Sequence, residues 1–290
     1  MYGRVVEESV AILGNILPKM FVGIVAGSFL ISAPFFKTLA EVSARFLRMR
    51  SGIAVISFFA NKALSLSILS QMHKKGVIDE REVLVAHIAG LFPMALRSSV
   101  LTLAPVAIST LGFKLGLTYL AIELFSKLVV ASIAVWFGRR SVSNDPYFFD
   151  FDYPLSESLI LALKTFVRVS VIITPTVFAT LFLINLNEAA VNEEFVIVLA
   201  GAGSTLAGFG VAGSLLAKGE VNRGEVLLLL FVALALHRLV ESARFSTPLN
   251  VSFFGRKLGI RLSIFTLLAN EASCALSIAL LLTLLSFNLL

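Results

Sequence analysis

Apolar residues run along this chain in blocks separated by short polar turns. Many blocks approach the roughly 20 residues of helix that cross a bilayer. The pattern predicts a first span from Val10 to Ile31, with Pro18 and Lys19 inside it. Residues 35–50 then repeat apolar positions at helical spacing, with Lys37, Arg45, Arg48 and Arg50 on the other face. That is the pattern of a short amphipathic helix lying at the membrane surface. A second span covers 51–72 and carries the small residues Ala60, Ala63, Ser65, Ser67 and Ser70, before the charged turn HKKGVIDERE. A third segment runs from Glu82 to Leu96, where Arg97, Ser98 and Ser99 interrupt it. A fourth, short segment contains Pro105 and stops at Gly112, and a fifth span runs from Leu115 to Phe137.

The polar stretch 138–157, rich in Pro, Asn and Asp, is an irregular linker. After it the order of segments returns, at 158–184, 195–216, 225–240, a broken stretch at Glu241–Phe254, and 259–288. The residues themselves return as well. Residues 76–116 align without a gap on 219–259, at a constant offset of 143, with 13 identities in 41 positions. The identities include Gly76 with Gly219, Glu82 with Glu225, Pro105 with Pro248, Gly112 with Gly255, Lys114 with Lys257 and Gly116 with Gly259. The chain therefore divides into a first repeat over 1–140, a linker over 141–157 and a second repeat over 158–290. Each copy holds five segments, or three crossings if the third and fourth form a hairpin. An odd number makes the second copy enter the membrane from the opposite side. The expected architecture is an all-α polytopic membrane protein of two inverted repeats with broken or re-entrant helices.

Composition agrees with this class. The chain is 58% hydrophobic and 14% charged, with a mean hydropathy of +0.93, against about 25% charged residues in a soluble domain. No alternating strands are visible, so a barrel is not expected, and no cleavable signal peptide is read at the start. The lone Cys274 provides no disulfide framework. The net charge of +6 reads as basic flanks facing lipid headgroups rather than nucleic acid, since the basic residues form no stripe with stacking aromatics. Lys and Arg weight the 33–50 and 138–157 side, which the positive-inside rule makes cytoplasmic, with both termini outside. The location implied is the plasma membrane, multi-pass, with the lipid bilayer and a small solute as partners and a homo-oligomer among the arrangements open to it.

The candidate chemistry lies where each copy breaks: PMALRSSVLTLAP from Pro93 to Pro105, and HRLVESARFSTPLN from His237 to Asn250. Ionisable groups at membrane depth cost several kcal/mol unless they are paired or face a cavity. Arg97, Arg238, Glu241 and Arg244 sit in or beside apolar segments, and Glu241 is three residues from both Arg238 and Arg244, so one helical face holds all three. Pro105 and Pro248 remove a backbone donor at matching points and free the carbonyl one turn earlier. Ser98, Ser99 and Thr102 in copy one, and Ser246, Thr247 and Asn250 in copy two, stand beside those freed groups. Asn61 and Lys62, in the middle of the second segment, serve equally well as site residues or as a buried structural pair. Each arginine, like Lys257, also reads as a span end snorkelling to the headgroups. Glu123 and Lys127 read as an intrahelical i,i+4 pair. Glu271, beside Asn270, reads either as a proton-titrating carboxylate or as a buried hydrogen-bonding group. The small-residue stripes at 60–70 and 201–213 read as close helix packing. The Asp145, Asp150, Asp152 cluster with its aromatic neighbours reads as an interfacial belt.

A small-residue helix, a Lys-Gly turn leading to Glu82 or Glu225, and an apolar helix broken before Pro105 or Pro248 make a unit that resembles the nucleoside-recognition, or gate, domain. That family of integral membrane domains occurs in concentrative nucleoside transporters, ferrous-iron transporters, spore maturation proteins and stand-alone archaeal proteins. The resemblance is to the stand-alone kind, across 51–140 and again across 195–290. It implies a transport-type fold. The Cys and Asn-Pro motifs of the iron-transporter gate are absent, which argues against iron, and no soluble GTPase domain is attached in this chain.

Three functional classes follow. The leading one is a permease-like transporter for a small polar or anionic solute, nucleoside-like by resemblance, working by alternating access of the two halves. Arg97, Arg238 and Arg244 would hold negative charge, with Glu241 as charge partner or proton site. The alternative is an accessory or scaffold protein that docks a partner subunit through the short fourth segments and the 35–50 helix. An intramembrane enzyme is the least expected. His73, His87 and His237 have no metal-ligand spacing, no paired Asp motif lies in a span, and no Gly-x-Ser-x-Gly occurs. Neither a metal nor a cofactor is expected.

Overall fold

The computed structural model describes residues 49–59, 61–99, 103–139, 193–219 and 221–287, with scattered helical positions within 3–25 and 159–174. The first span, most of the 35–50 helix, the linker and most of the 158–184 segment lie outside the described residues. Among the described residues all regular structure is helical. The elements are α1 (Gly52–Ser57), α2 (Lys62–Lys74), α3 (Glu80–Ala89), α4 (Leu91–Ser98), α5 (Ala104–Leu111), α6 (Phe113–Arg139), α7 (Glu193–Gly203), α8 (Thr205–Lys218), α9 (Arg223–Glu241), a π-helical turn (Ser242–Ser246) and α10 (Thr247–Ser286).

The sequence repeat is a repeat of local devices. Asn61 caps α2 from an extended backbone, and Ser204, at the same offset, precedes α8 in the same conformation. The Lys-Gly turns end these helices with left-handed glycines, Gly76 at φ 71° and Gly219 at φ 75°, where a side chain costs about 1–2 kcal/mol. Asp79 and Asn222 then cap α3 and α9, each accepting from the backbone N–H of the glutamate three residues on. This accounts for the paired glutamates. Glu225 accepts from the Asn222 side-chain amide at 3.0 Å, a second bond between the cap and the glutamate. Glu82 instead accepts from the Ser51 N–H at 2.8 Å, tying α3 to the start of α1. Gly112 and Gly255 reverse the chain at φ 82° and 78° with ψ near 180°, a region open essentially to glycine alone. Gly112→Ala should therefore lower the thermal midpoint of the purified protein more than Gly76→Ala, whose cost is about 1 kcal/mol.

Two expectations change. The second segment is not continuous: it breaks at residues 58–61 between α1 and α2, and the matching segment of copy two breaks at Ser204. Pro248 does not unwind the helix, and the turn before Pro105 lies outside the described residues. Pro105 enters the first turn of α5, where a missing N–H costs nothing, and Pro248 follows a π-helical turn that continues α9 into α10. The sharp breaks fall instead at Gly112 and Gly255. The fourth segment is short: α5 has 8 residues, about 12 Å of helix, and the chain reverses after it into α6. A Cβ at Gly116 would lie 2.8 Å from the Ala107 backbone, so only glycine lets these arms touch.

The chain folds into two compact units, and neither coincides with a repeat. Unit 1 combines residues 1–94 with 131–187 and with 243–266, the broken hairpin of copy two. Unit 2 combines 188–242 with 95–130, the broken hairpin of copy one, and with 267–290. The same crossing is built in each. In unit 1 Ser70 of α2 donates to the Phe253 carbonyl at 2.8 Å. In unit 2 the equivalent Gly213 of α8 packs on the equivalent Thr110, where an added Cβ would sit 2.6 Å from the carbonyl oxygen. Small residues also bring α7 and α8 together at Gly201 and Gly208, as the stripe implies. Leu66, Leu69, Met72, Val83 and Phe253 are among the core of unit 1; Tyr119, Phe209, Phe231 and Leu234 are among that of unit 2, with Tyr119 stacked on Phe231 at 4.7 Å.

The long helices bury polar side chains among apolar ones and expose large apolar residues. On α6 the buried side chains include Glu123, Ser126 and Lys127, while Phe125, Leu128, Ile133, Trp136 and Phe137 are exposed. On α10 Ser263, Thr266, Ser273 and Ser277 are buried and Ile264, Phe265, Leu268 and Leu282 are exposed. Two helical stretches among the described residues are long and apolar enough to cross a membrane, Phe113–Gly138 and Arg223–Ser286.

Candidate functional site

Unit 1 gathers six of the residues singled out from sequence: Asn61, Lys62, Arg244, Ser246, Thr247 and Asn250. The break before α2 places Lys62 in the first helical turn, beside its Asn61 cap. From there the Lys62 ammonium donates to the Ser246 hydroxyl at 2.7 Å, across 184 residues of sequence. Ser246 closes the π-helical turn, and Thr247 and Pro248 open α10 behind it. Asn250, fully buried, donates its amide to the Ser263 hydroxyl at 3.0 Å, leaving its carbonyl oxygen without a partner. Arg244 is buried with its guanidinium over the Phe245 ring, 4.6 Å from the centroid, and its Nε is unpartnered. Buried polar atoms normally find partners, so the Arg244 donor and the Asn250 acceptor retain hydrogen-bonding capacity that a polar ligand could use.

Unit 2 gathers Arg97, Ser98, Ser99, Arg238 and Glu241. Arg238 lies between two carboxylates, Glu241 at 2.7 Å and the buried Glu123 at 3.6 Å. The Arg238–Glu241 pair is the one the sequence spacing implies. Glu123 and Lys127 do not serve each other as an intrahelical pair. Each reaches to another helix, Glu123 to Arg238 and Lys127 to the Asn270 amide oxygen. Lys127 and Asn270 are equivalent positions of the two copies. Ser126 accepts from the Ser277 hydroxyl at 2.9 Å beside them. Ser98 turns its hydroxyl back onto the Ala95 carbonyl, and Ser99 is buried with its hydroxyl unpartnered. Arg97 stands half-buried in the last turn of α4. Pro105 begins the α5 arm.

The bond from Lys62 to Ser246 and the Glu123–Arg238 link join residues far apart in sequence, and no spacing signal marks them or the Asn250–Ser263 pair across the Gly255 reversal. Asp79 and Asn222 carried a readable signal, an Asx residue three before a glutamate, as did Asn61 ahead of a helix. His87 is buried edge-on to Phe58 at 5.4 Å, and His237 faces the Ala202 carbonyl at 3.1 Å. No group of three His, Cys, Asp or Glu side chains suited to a metal ion occurs among the described residues.

The chain is similar to three uncharacterized proteins of Methanocaldococcus jannaschii. One is 24% identical over 288 residues, covering 90% of this chain and 91% of the relative. Another is 24% identical over 242 residues, 73% of this chain and 77% of the relative. The third is 25% identical over 232 residues, 72% of each. No family model matches, and no solved structure matches.

Proposed function

We propose that this protein is a multi-pass membrane transporter for a small polar or anionic solute, built of two inverted, interlocked repeats. The membrane reading is supported by α6 and α10, which expose large apolar side chains along most of their length while burying Glu123, Lys127 and several serines among their apolar contacts. Such faces suit lipid and would aggregate in water. The two-fold reading is supported by Lys127 and Asn270, which touch although they are equivalent positions, as residues at a two-fold axis must. Inverted repeats of this kind hold their substrate at broken helices.

One observation carries the transport reading: the break before α2 in copy one meets the π-helical turn of copy two. Lys62, in the first turn after that break, is bonded to Ser246, which closes the π-helical turn. Lys62 and Arg244 supply positive charge at membrane depth, and Ser246, Thr247, Asn61 and Asn250 supply hydroxyl and amide groups. That set favours a solute with an anionic or carbonyl-rich face, and the resemblance to gate domains adds nucleosides and nucleobases to the classes worth testing. No catalytic role is proposed for any residue. Thermal unfolding in detergent against nucleosides, nucleobases and organic anions tests the reading, because a ligand of the folded state raises the midpoint. At least one class should raise it in the wild type and not in Lys62→Met, whose own midpoint stays within a few degrees. A flat panel from well-folded protein would defeat the proposal and favour a docking role, to be sought by pull-down.

A further inference from the structure

Glu271 lies midway along the helix that follows the Gly255 reversal and ends at Ser286. Its span is one of the two long enough to cross a membrane. It is half-buried, its Oε1 is fully enclosed, and that oxygen has no hydrogen-bond partner. Among the described residues no cation lies within 4.0 Å of it, although two stand nearby in unit 2, Lys127 on α6 and Arg238 on α9. Both are engaged, Lys127 by Asn270 and Arg238 by Glu123 and Glu241. The remaining titratable groups of the cluster are Tyr119 on α6, whose hydroxyl is buried without a partner, and Cys274, one turn along from Glu271. An ionised carboxylate at this depth, with no ion pair and no donor, would cost several kcal/mol. The hydrogen-bonding alternative read from the sequence finds no partner, which leaves the titrating one. A metal counter-ion is disfavoured too, since no suitable set of ligands surrounds it among the described residues.

We infer that Glu271 is a proton-binding site, protonated in the conformation described here, and that solute movement is coupled to its proton. The second half rests on the transporter reading; the first does not. Loss of the proton to water leaves a carboxylate that competes with Asn270 for the Lys127 ammonium. Deprotonation thereby breaks the contact between equivalent positions of the two copies. Binding of the proton restores the carboxylic acid and returns Lys127 to Asn270.

Dicyclohexylcarbodiimide, which attacks protonated carboxyl groups in apolar surroundings, provides the test on wild-type protein in liposomes at about neutral pH. Mass spectrometry should find the adduct on Glu271, and not on Glu123 or Glu241, each of which is ion-paired with Arg238. An unlabelled Glu271 would overturn the site. Glu271→Gln, a neutral isostere of the acid, should keep its thermal midpoint and solute-induced shift; a large fall in midpoint would mean that the ionised form is needed and would also overturn it. In transport, Glu271→Gln should lose the acceleration given by a pH gradient. An adduct on Glu271 in a protein that moves no solute would leave the proton site standing and defeat the transport reading alone.

Discussion

Arg238→Ala lowers the stability of the folded protein by about 3–5 kcal/mol, because it strands two carboxylates that share one guanidinium. Glu123 is the worse case: its side chain is 1% exposed, and Arg238 at 3.6 Å is its ion-pair partner. Glu241 bonds the same arginine at 2.7 Å and is 27% exposed, so water reaches it. The cost should therefore trace to Glu123. Adding Glu123→Gln to Arg238→Ala should recover most of the lost midpoint in detergent unfolding, and adding Glu241→Gln should recover little. Equal rescue by the two would mean that the network is shared differently from the geometry. A fall of under 1 kcal/mol for Arg238→Ala would place the arginine at a wet span end, as in the snorkelling reading.

Bulk at Gly259 or Gly116 has an effect of comparable size for a different reason. A Cβ at Gly259 would lie 2.5 Å from the Val251 Cα and 2.8 Å from the Asn250 carbonyl carbon. Backbone cannot swing aside as a side chain can, so the arms of the hairpin must separate. Alanine at either glycine should cost about 1–3 kcal/mol, and leucine should prevent recovery of folded protein from the membrane. Gly203 and Gly210 provide the control, since nothing lies within 4 Å of a Cβ there. Alanine at those helical positions should leave stability unchanged or raise it by up to about 1 kcal/mol. Thermal midpoints of the four alanine variants, measured side by side, decide the matter.

Much of the local architecture was legible in the sequence. Gly76, Gly112, Gly116 and their partners 143 residues on announced turns and close approaches, because those backbone conformations exclude other residues. The short fourth segment and its end at Gly112 were legible, while its path as a span or a re-entrant hairpin stayed open. The breaks at 58–61 and Ser204 were not read, because hydropathy is indifferent to an interruption that keeps its residues apolar. Only Asn61 gives a sign of one: its residue type suits a site residue, a buried structural pair and the helix cap that it forms. The exchange of hairpins between copies was out of reach for a deeper reason. The repeated pattern fixes what each hairpin looks like but not which copy it packs against, and that choice decides the site. It brings Lys62 to Ser246, and it sends Glu123 to Arg238 in place of the i,i+4 lysine.

The most direct test of the account is charge movement across a membrane. Proteoliposomes on a solid support, given a concentration jump of whichever solute raises the thermal midpoint, should produce a transient current in the wild type. The same jump should produce none in Lys62→Met, although that variant is folded. A solute that binds tightly, moves no charge and takes no label into the liposome lumen would contradict transport and leave the protein as a binding or docking component of the membrane.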